Sequence, residues 1–251
     1  MTIRKSTYED IPDILEIIQD AKEYLKSQNI DQWQGPYPEI EDIQEDIDRG
    51  VSYVYEENDK VIGTCCIKLE VDPNYHEIHG EWLNDLPYGV IHRIAIRSSE
   101  KGKGIAQEFF QYAEDEALNR DVYNLRIDTH KDNQSMQNAI QKFGFLYTGI
   151  VKMQDGSLRN AYQKVIFPED AIERVKKMEA LFNMVLSSLK KKEINFEVKY
   201  YLHLLNAYYQ SRLWKEDFEK DEQGFFPTNL KRGVLSEDGL YNLLSEIKEV
   251  L

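Results

Sequence analysis

The sequence predicts an α/β part over residues 1–167 followed by a small all-α bundle over 168–251. Three observations carry this reading. Strand-like and helix-like patterns alternate as far as Val165, and a strand, crossover helix, strand unit runs from Tyr88 to Thr129. After Phe167-Pro168 only helical periodicity remains.

In chain order, Thr2 to Lys5 is a short strand. Asp10 to Ser27 follows as a helix, with Ile11, Ile14, Leu15, Ile18, Ala21, Tyr24 and Leu25 at helical spacing and Pro12 in the first turn, where its missing N–H is not needed. A polar, aromatic stretch, Gln28 to Tyr37, leads to a second helix that opens at Pro38 and closes before Gly50, with Ile40, Ile43 and Ile47 on one face. Val51 to Tyr55 and Val61 to Leu69 are β-branched and aromatic runs joined by the turn Glu57-Asn58-Asp59-Lys60, which predicts a hairpin. Tyr88 to Arg97 is the next strand; Gly102 and Gly104 open a helix to about Asn119, and Tyr123 to Thr129 is the strand after it. Two strands joined by a helix are parallel, with a right-handed crossover. A short helix, Gln134 to Phe143, ends at Gly144, and Phe145 to Met153 with Leu158 to Val165 make a terminal hairpin.

Charge narrows the partners. The 45 acidic and 31 basic side chains give a net charge of −14, of which the first 165 residues hold −12. Binders of nucleic acid or anionic membrane need a basic footprint, so both are excluded and a cationic substrate is favoured. No window approaches the run of about 18 apolar residues that a membrane span needs, and MTIRKSTYED lacks the apolar stretch of a signal peptide, so a cytoplasmic location is expected. The only cysteines, Cys65 and Cys66, are adjacent, so in a strand they point to opposite faces; they read as small half-buried hydrophobes. His76 and His79 have no companion Cys or His pair at ligand spacing, so no metal is expected, and His203 reads as a packing residue of a helix.

The chemistry is carried by the stretch from Val90 to Ala106. A hydrophobic strand enters a loop whose glycines let backbone N–H groups converge, and the loop enters a helix whose free amides and positive dipole end favour phosphate. The Walker loop is excluded, because no second glycine followed by Lys and Ser or Thr stands five residues on. The dinucleotide fingerprint fails because Gln107 occupies the place of its third glycine.

With Ile94-Ala95-Ile96 ahead of this loop, Ile3-Arg4-Lys5, Val61-Ile62-Gly63, Asn133 and Lys142-Phe143-Gly144-Phe145, the sequence resembles the GNAT acetyltransferase superfamily over residues 2 to about 165. The resemblance implies a mixed, strongly twisted sheet whose fourth and fifth strands, Val90 to Arg97 and Tyr123 to Thr129, splay to admit the pantetheine arm of acetyl-CoA as co-substrate. By that resemblance the arm pairs with Ile94, Ala95 and Ile96, the pyrophosphate rests on the amides of Lys101, Gly102, Lys103, Gly104, Ile105 and Ala106, and Asn133 contacts the coenzyme. Two departures stand out. Ser99 replaces the fingerprint's Arg or Gln, and Ile140 falls where the family often has a tyrosine acid.

Direct attack by an amine on a thioester needs a neutral nitrogen, so a general base is useful, whereas a thiol with a pKa near 8.5 departs as thiolate without a strong acid. His92, on the strand lining the cleft, is the first candidate base, and arylalkylamine N-acetyltransferases resemble this arrangement; Asp128, on the neighbouring strand, is the second. As ordinary structural residues, both are also satisfied by a hydrogen bond in the core. Trp33, Tyr37 and Trp82 flank the acceptor entrance by resemblance, where aromatics cage cations, and Glu81 and Asp85 add charge to the rim. The expected activity is acetyl transfer to a primary amine of a small molecule or peptide. The alternative is a non-catalytic acyl-CoA-binding or protein-interaction module. A homodimer is left open.

In the last 84 residues, Ile172, Val175, Phe182, Val185 and Leu189 define one helix, and Val198, Tyr201, Leu205 and Tyr208 a second. A third runs from the cap Ser236 to Leu251 with Leu240, Leu243, Leu244 and Ile247 as its stripe. This part resembles an uncharacterised family of small helical domains found alone or behind acetyltransferases, on Trp214-Lys215-Glu216-Asp217-Phe218-Glu219, Gly224, Pro227 and Arg232 to Gly239. Its five tyrosines are more than so small a bundle easily hides, so docking on the first domain is expected.

Overall fold

The computed structural model describes residues 2–247, apart from the side chains of Glu237, Glu246 and Ile247. The chain divides into two compact units, Met1–Ile166 and Phe167–Leu251.

The first unit holds strands β1 (Thr2–Lys5), β2 (Ser52–Glu57), β3 (Lys60–Lys68), β4 (Ile78–Gly80), β5 (Gly89–Ile96), β6 (Asn124–Thr129), β7 (Leu146–Lys152) and β8 (Leu158–Val165). Its helices are α1 (Ile11–Ser27), α2 (Ile40–Asp48), α3 (Ile105–Leu118) and α4 (Gln134–Lys142). One mixed sheet runs in the order β1-β2-β3-β5-β6-β8-β7-β4. Only β5 and β6, joined through α3, are parallel; the other neighbours are antiparallel. The β2–β3 hairpin turns on Asn58 and Asp59, both with positive φ, which suits the twist of the strands it joins.

Pleating sends alternate residues to two cores. Ile91, Ile94, Leu125 and Ile127 pack with Phe109, Phe110 and Ile140 of α3 and α4. Val54, Val61 and Ala95 pack with Ile14, Ile17 and Ile18 of α1. Each such side chain, once buried, contributes about 1.5–3 kcal/mol. A third cluster gathers Tyr75, Tyr88, Val90, Val151 and Ala161. Cys65 and Cys66 are free thiols buried to 1% and 2% exposure rather than half-buried, and burial pushes Cys66 up to about 12.

Strand β4 has no signature in the sequence because it is three residues long and relies on its partner. It meets β7 where Gly80 faces Gly149, and a Cβ on Gly80 would lie 2.2 Å from the Thr148 carbonyl oxygen. Counting β4, the strands expected as fourth and fifth are β5 and β6.

The second unit holds α5 (Ala171–Lys191), α6 (Phe196–Gln210), α7 (Arg212–Glu222) and α8 (Glu237–Ile247). The three expected helices are α5, α6 and α8; the stretch expected to continue α8 over 248–251 lies outside the described residues. Helix α7 is an addition. Eight of its eleven residues are charged, too many for a clear stripe, and a single residue, Ser211, separates it from α6 and caps it by accepting from the Trp214 N–H at 3.2 Å.

From the strings that mark this helical family, Trp214, Asp217, Val234 and Leu235 are buried in its interior. Arg174, 1% exposed, donates from Nε and Nη2 to Asp217 at 2.8 and 2.7 Å, and Asp217 also accepts from the Tyr208 hydroxyl at 2.7 Å. Trp214 Nε1 donates to the Val234 carbonyl, while the Val234 N–H donates to Glu179. These bonds tie α5, α6 and α7 to the turn before α8.

Candidate active site

The site begins with a fault in the sheet. β5 pairs with β6 only at Gly89↔Leu125, Val90↔Arg126 and Ile91↔Ile127. Beyond these, β5 continues to Ile96 along β3 and β6 continues to Thr129 along β8, with no pairing between the two. The cause lies on β5. Opposite β3, His92 pairs with Cys66 and Ala95 with Thr64, so Arg93 and Ile94 together face Cys65. This is a β-bulge, which bends its strand, and Arg93 adopts φ 54° to make it. The guanidinium of Arg93 secures the bend by donating to buried Asp46 of α2 and, at 2.8 Å, to the Tyr37 hydroxyl.

Beyond β5 lies the glycine loop. Gly102 and Gly104 have φ of 81° and 88°, and no atom lies within 4 Å of where a Cβ would stand, so the backbone conformation and not crowding calls for glycine. Gly104 caps α3, and its carbonyl accepts from the N–H groups of Gln107 and Glu108; the amides of Ile105 and Ala106 precede these bonds. The lysines have protein partners. Lys101 Nζ lies 3.1 Å from the centroid of the Tyr24 ring, where burial lowers its pKa, and Lys103 pairs with Glu100 at 2.6 Å. Ser99 donates to Glu100 at 3.1 Å. Asn133 caps α4 by accepting from the Met136 N–H, and its amide donates to Gln32 at 3.2 Å. Thr129 Oγ1, at the open end of β6, is buried without a hydrogen-bond partner. An unpaired strand edge, an open glycine loop and an orphaned hydroxyl fit a long co-substrate that carries amides and a diphosphate.

At the apex of the opening, His92 and Asp128 occupy the first register positions after the last β5–β6 pair. His92 Nε2 lies 2.8 Å from Asp72 Oδ2. Burial pushes the Asp72 carboxyl up, but His92 and the donors of Asn74 outweigh this and hold it at about 2. Tyr75 donates its hydroxyl to Asp128 Oδ1 at 2.7 Å, and its ring centre lies 6.2 Å from that of His92. The Trp82 ring packs tilted against Tyr75, with centroids 5.3 Å apart, and its Nε1 donates to the Tyr75 carbonyl; the Arg126 guanidinium lies 3.9 Å from the centroids of both the Trp82 and Tyr88 rings.

Of the expected rim residues, Trp82 therefore joins the apex cluster, whereas Trp33 packs on the α1 core. Tyr37 is 45% exposed beside Arg93, and Glu81 is exposed. Ile140 is fully buried, so that position presents no proton donor. Asp72 and Tyr75 were not legible as site residues. Asp72-Pro73-Asn74 has the composition of a turn, but nothing local marks partners 20 and 53 residues away.

An opened parallel pair above a glycine-capped helix defines the acetyltransferase class of fold. Residues 13–145, more than half of the chain, match the acetyltransferase (GNAT) family, and the chain belongs to that family. Residues 169–251 match a domain of unknown function, DUF4298. A GNAT-family acetyltransferase structure from Streptococcus agalactiae is 33% identical with a TM-score of 0.61, covering 66% of this chain and 96% of that one. One from Listeria monocytogenes shares the fold at 20% identity and a TM-score of 0.53, covering 66% of this chain and 94% of that one. The streptothricin acetyltransferase of Escherichia coli is 32% identical over 74 residues, which span 30% of this chain and 41% of that enzyme. Among the described residues no helix is long and apolar enough to cross a membrane.

Proposed function

We propose that this protein transfers the acetyl group of acetyl-CoA directly to a primary amine of a cationic small molecule or peptide. The observation that carries this reading is the β5–β6 opening with the His92–Asp72 pair at its apex. The edge of β5 at Ile94, Ala95 and Ile96 binds the pantetheine arm, and the amides from Lys101 to Ala106 bind the diphosphate at the α3 terminus. Thr129 and Asn133 add polar contacts. Acetyl-CoA, as co-substrate, supplies an activated thioester carbonyl.

His92 acts as the base. An alkyl ammonium with a pKa near 10.4 leaves about 0.1% or less neutral at pH 7, so removing its proton is worth roughly 10² to 10⁴ in rate. Asp72, 2.8 Å from Nε2, fixes the orientation of the ring, as a carboxylate does for a catalytic histidine. Trp82 and Tyr37, with Glu81, line the approach of a cation, while Trp33, packed on the α1 core, is left out of it. The acidity of the first unit draws such an acceptor in.

Isothermal titration of acetyl-CoA tests the reading first, and an absence of binding at millimolar concentration overturns it. Thiol release is then followed with streptothricin, spermidine and lysinamide as acceptors. Ser99 and Ile140 favour a second reading, a non-catalytic acyl-CoA-binding or protein-interaction module. Binding without release selects it.

A further inference from the structure

One short segment spans the opening of the sheet. Asp72 caps a single 3₁₀ turn, Pro73–Tyr75, by accepting from the Asn74 N–H, and Tyr75 ends it. From this turn Asp72 reaches His92 on β5, and Tyr75 reaches Asp128 on β6. Tyr75 is 2% exposed, its backbone carbonyl is held by Trp82 Nε1, and burial first, then Asp128, push its hydroxyl pKa well up, so it remains a donor. Asp128 is only half-buried. Its Oδ1 is taken by Tyr75, and among the described residues its Oδ2 has no hydrogen-bond partner and no cation pairs with it.

We propose that Tyr75 is a positioning residue that aims the free oxygen of Asp128 at the acceptor nitrogen, opposite His92. This rests on the acetyl-transfer reading and assigns Asp128 the part of anchor instead of base. In the step, His92 takes one proton from the acceptor ammonium, the nitrogen lone pair forms the new bond to the thioester carbon, and the carbon–sulfur bond breaks with its electron pair leaving on sulfur. The nitrogen is positive in the bound ammonium group and again while that bond forms, until the second proton is lost to solvent, so Asp128 holds it about equally in both states and acts on binding. A carboxylate held by one neutral donor suits this task. An arginine in the place of Tyr75 would satisfy Asp128 and leave nothing for an ammonium group.

The test is Tyr75→Phe, which keeps the ring and removes the hydroxyl. Initial rates are measured with acetyl-CoA and streptothricin, spermidine or lysinamide. The amine KM is expected to rise about tenfold, the cost of one hydrogen bond to a charged group, while kcat and the acetyl-CoA KM change about threefold or less. Asp128→Asn is expected to give the same split, and Tyr75→Phe added to it is expected to cost nothing more, because the tyrosine acts through the aspartate. Additive losses, a fall in kcat at unchanged amine KM, or wild-type rates in Tyr75→Phe overturn the proposal. A wild-type protein that binds acetyl-CoA but turns over none of the three amines overturns the transfer reading, and the proposal falls with it. If Tyr75→Phe fails to fold, the split in Asp128→Asn decides. A wild-type protein that does not bind acetyl-CoA overturns the transfer reading likewise, so turnover by the wild type separates the two failures: with it, only the role of Tyr75 is at stake.

Discussion

Each unit of this protein contains a tyrosine hydroxyl donating to an aspartate at 2.7 Å: Tyr75 to Asp128 in the first and Tyr208 to Asp217 in the second. The pairs differ in what completes them. Arg174 grips both oxygens of Asp217, and neither residue is more than 1% exposed. Asp128 has no arginine, stays half-buried and keeps one oxygen free of protein partners among the described residues. The same local bond therefore serves two ends. With a buried cation it closes a network that holds helices together, and without one it leaves a carboxylate oxygen that no described residue pairs with.

The largest effect that sharpens this contrast is expected at the closed pair. Arg174→Ala leaves the Asp217 carboxylate buried without its cation, which costs about 3–5 kcal/mol. Urea unfolding followed by far-UV circular dichroism and tryptophan emission measures it, and a loss below about 1 kcal/mol would erase the distinction between the two networks. Next comes the open site, where His92→Gln is expected to lower kcat/KM by about 10² or more while acetyl-CoA affinity, read by calorimetry, stays within a few fold. A mutant close to wild type would pass the base role to Asp128 or to water.

The smallest effect concerns pH. The carboxyl of Asp72 is lowered from 3.8 to about 2, so it stabilises the fold above pH 3.8 and that contribution is lost as the pH falls through 2. The stability gap between the wild type and Asp72→Asn should therefore shrink by about 2 kcal/mol between pH 6 and pH 2 in urea titrations. A gap that does not change with pH would show that the bond to His92 is not an ion pair.

Much of the scaffold was written locally. Helix α1 was visible because Ile11, Ile14, Ile18 and Leu25 repeat at helical spacing, and all four are buried. The glycine loop was visible because Gly102 and Gly104 interrupt a strand-to-helix passage, and both have positive φ. The apex was legible only in part. His92 and Asp128 could be proposed from their strands, but their braces come from a turn at Asp72 to Tyr75, and long-range pairing leaves no mark on composition. Arg93 was equally hidden, since an inserted strand residue looks like any other member of Val90 to Ile96. Helix α7 escaped because its apolar face is narrow and its strength lies in one aspartate, Asp217, paired across 43 residues.

The extra residue in β5 also sets the phase of the whole strand. Val90 and His92 share one face, and yet Ala95, not Ile94, packs with the α1 core after them. Without Arg93 the order His92, Ile94, Ala95, Ile96 would alternate without interruption, each side chain keeping its present face. In genetic terms the bend of β5 is one codon deep, for a single in-frame codon supplies the residue that breaks its alternation.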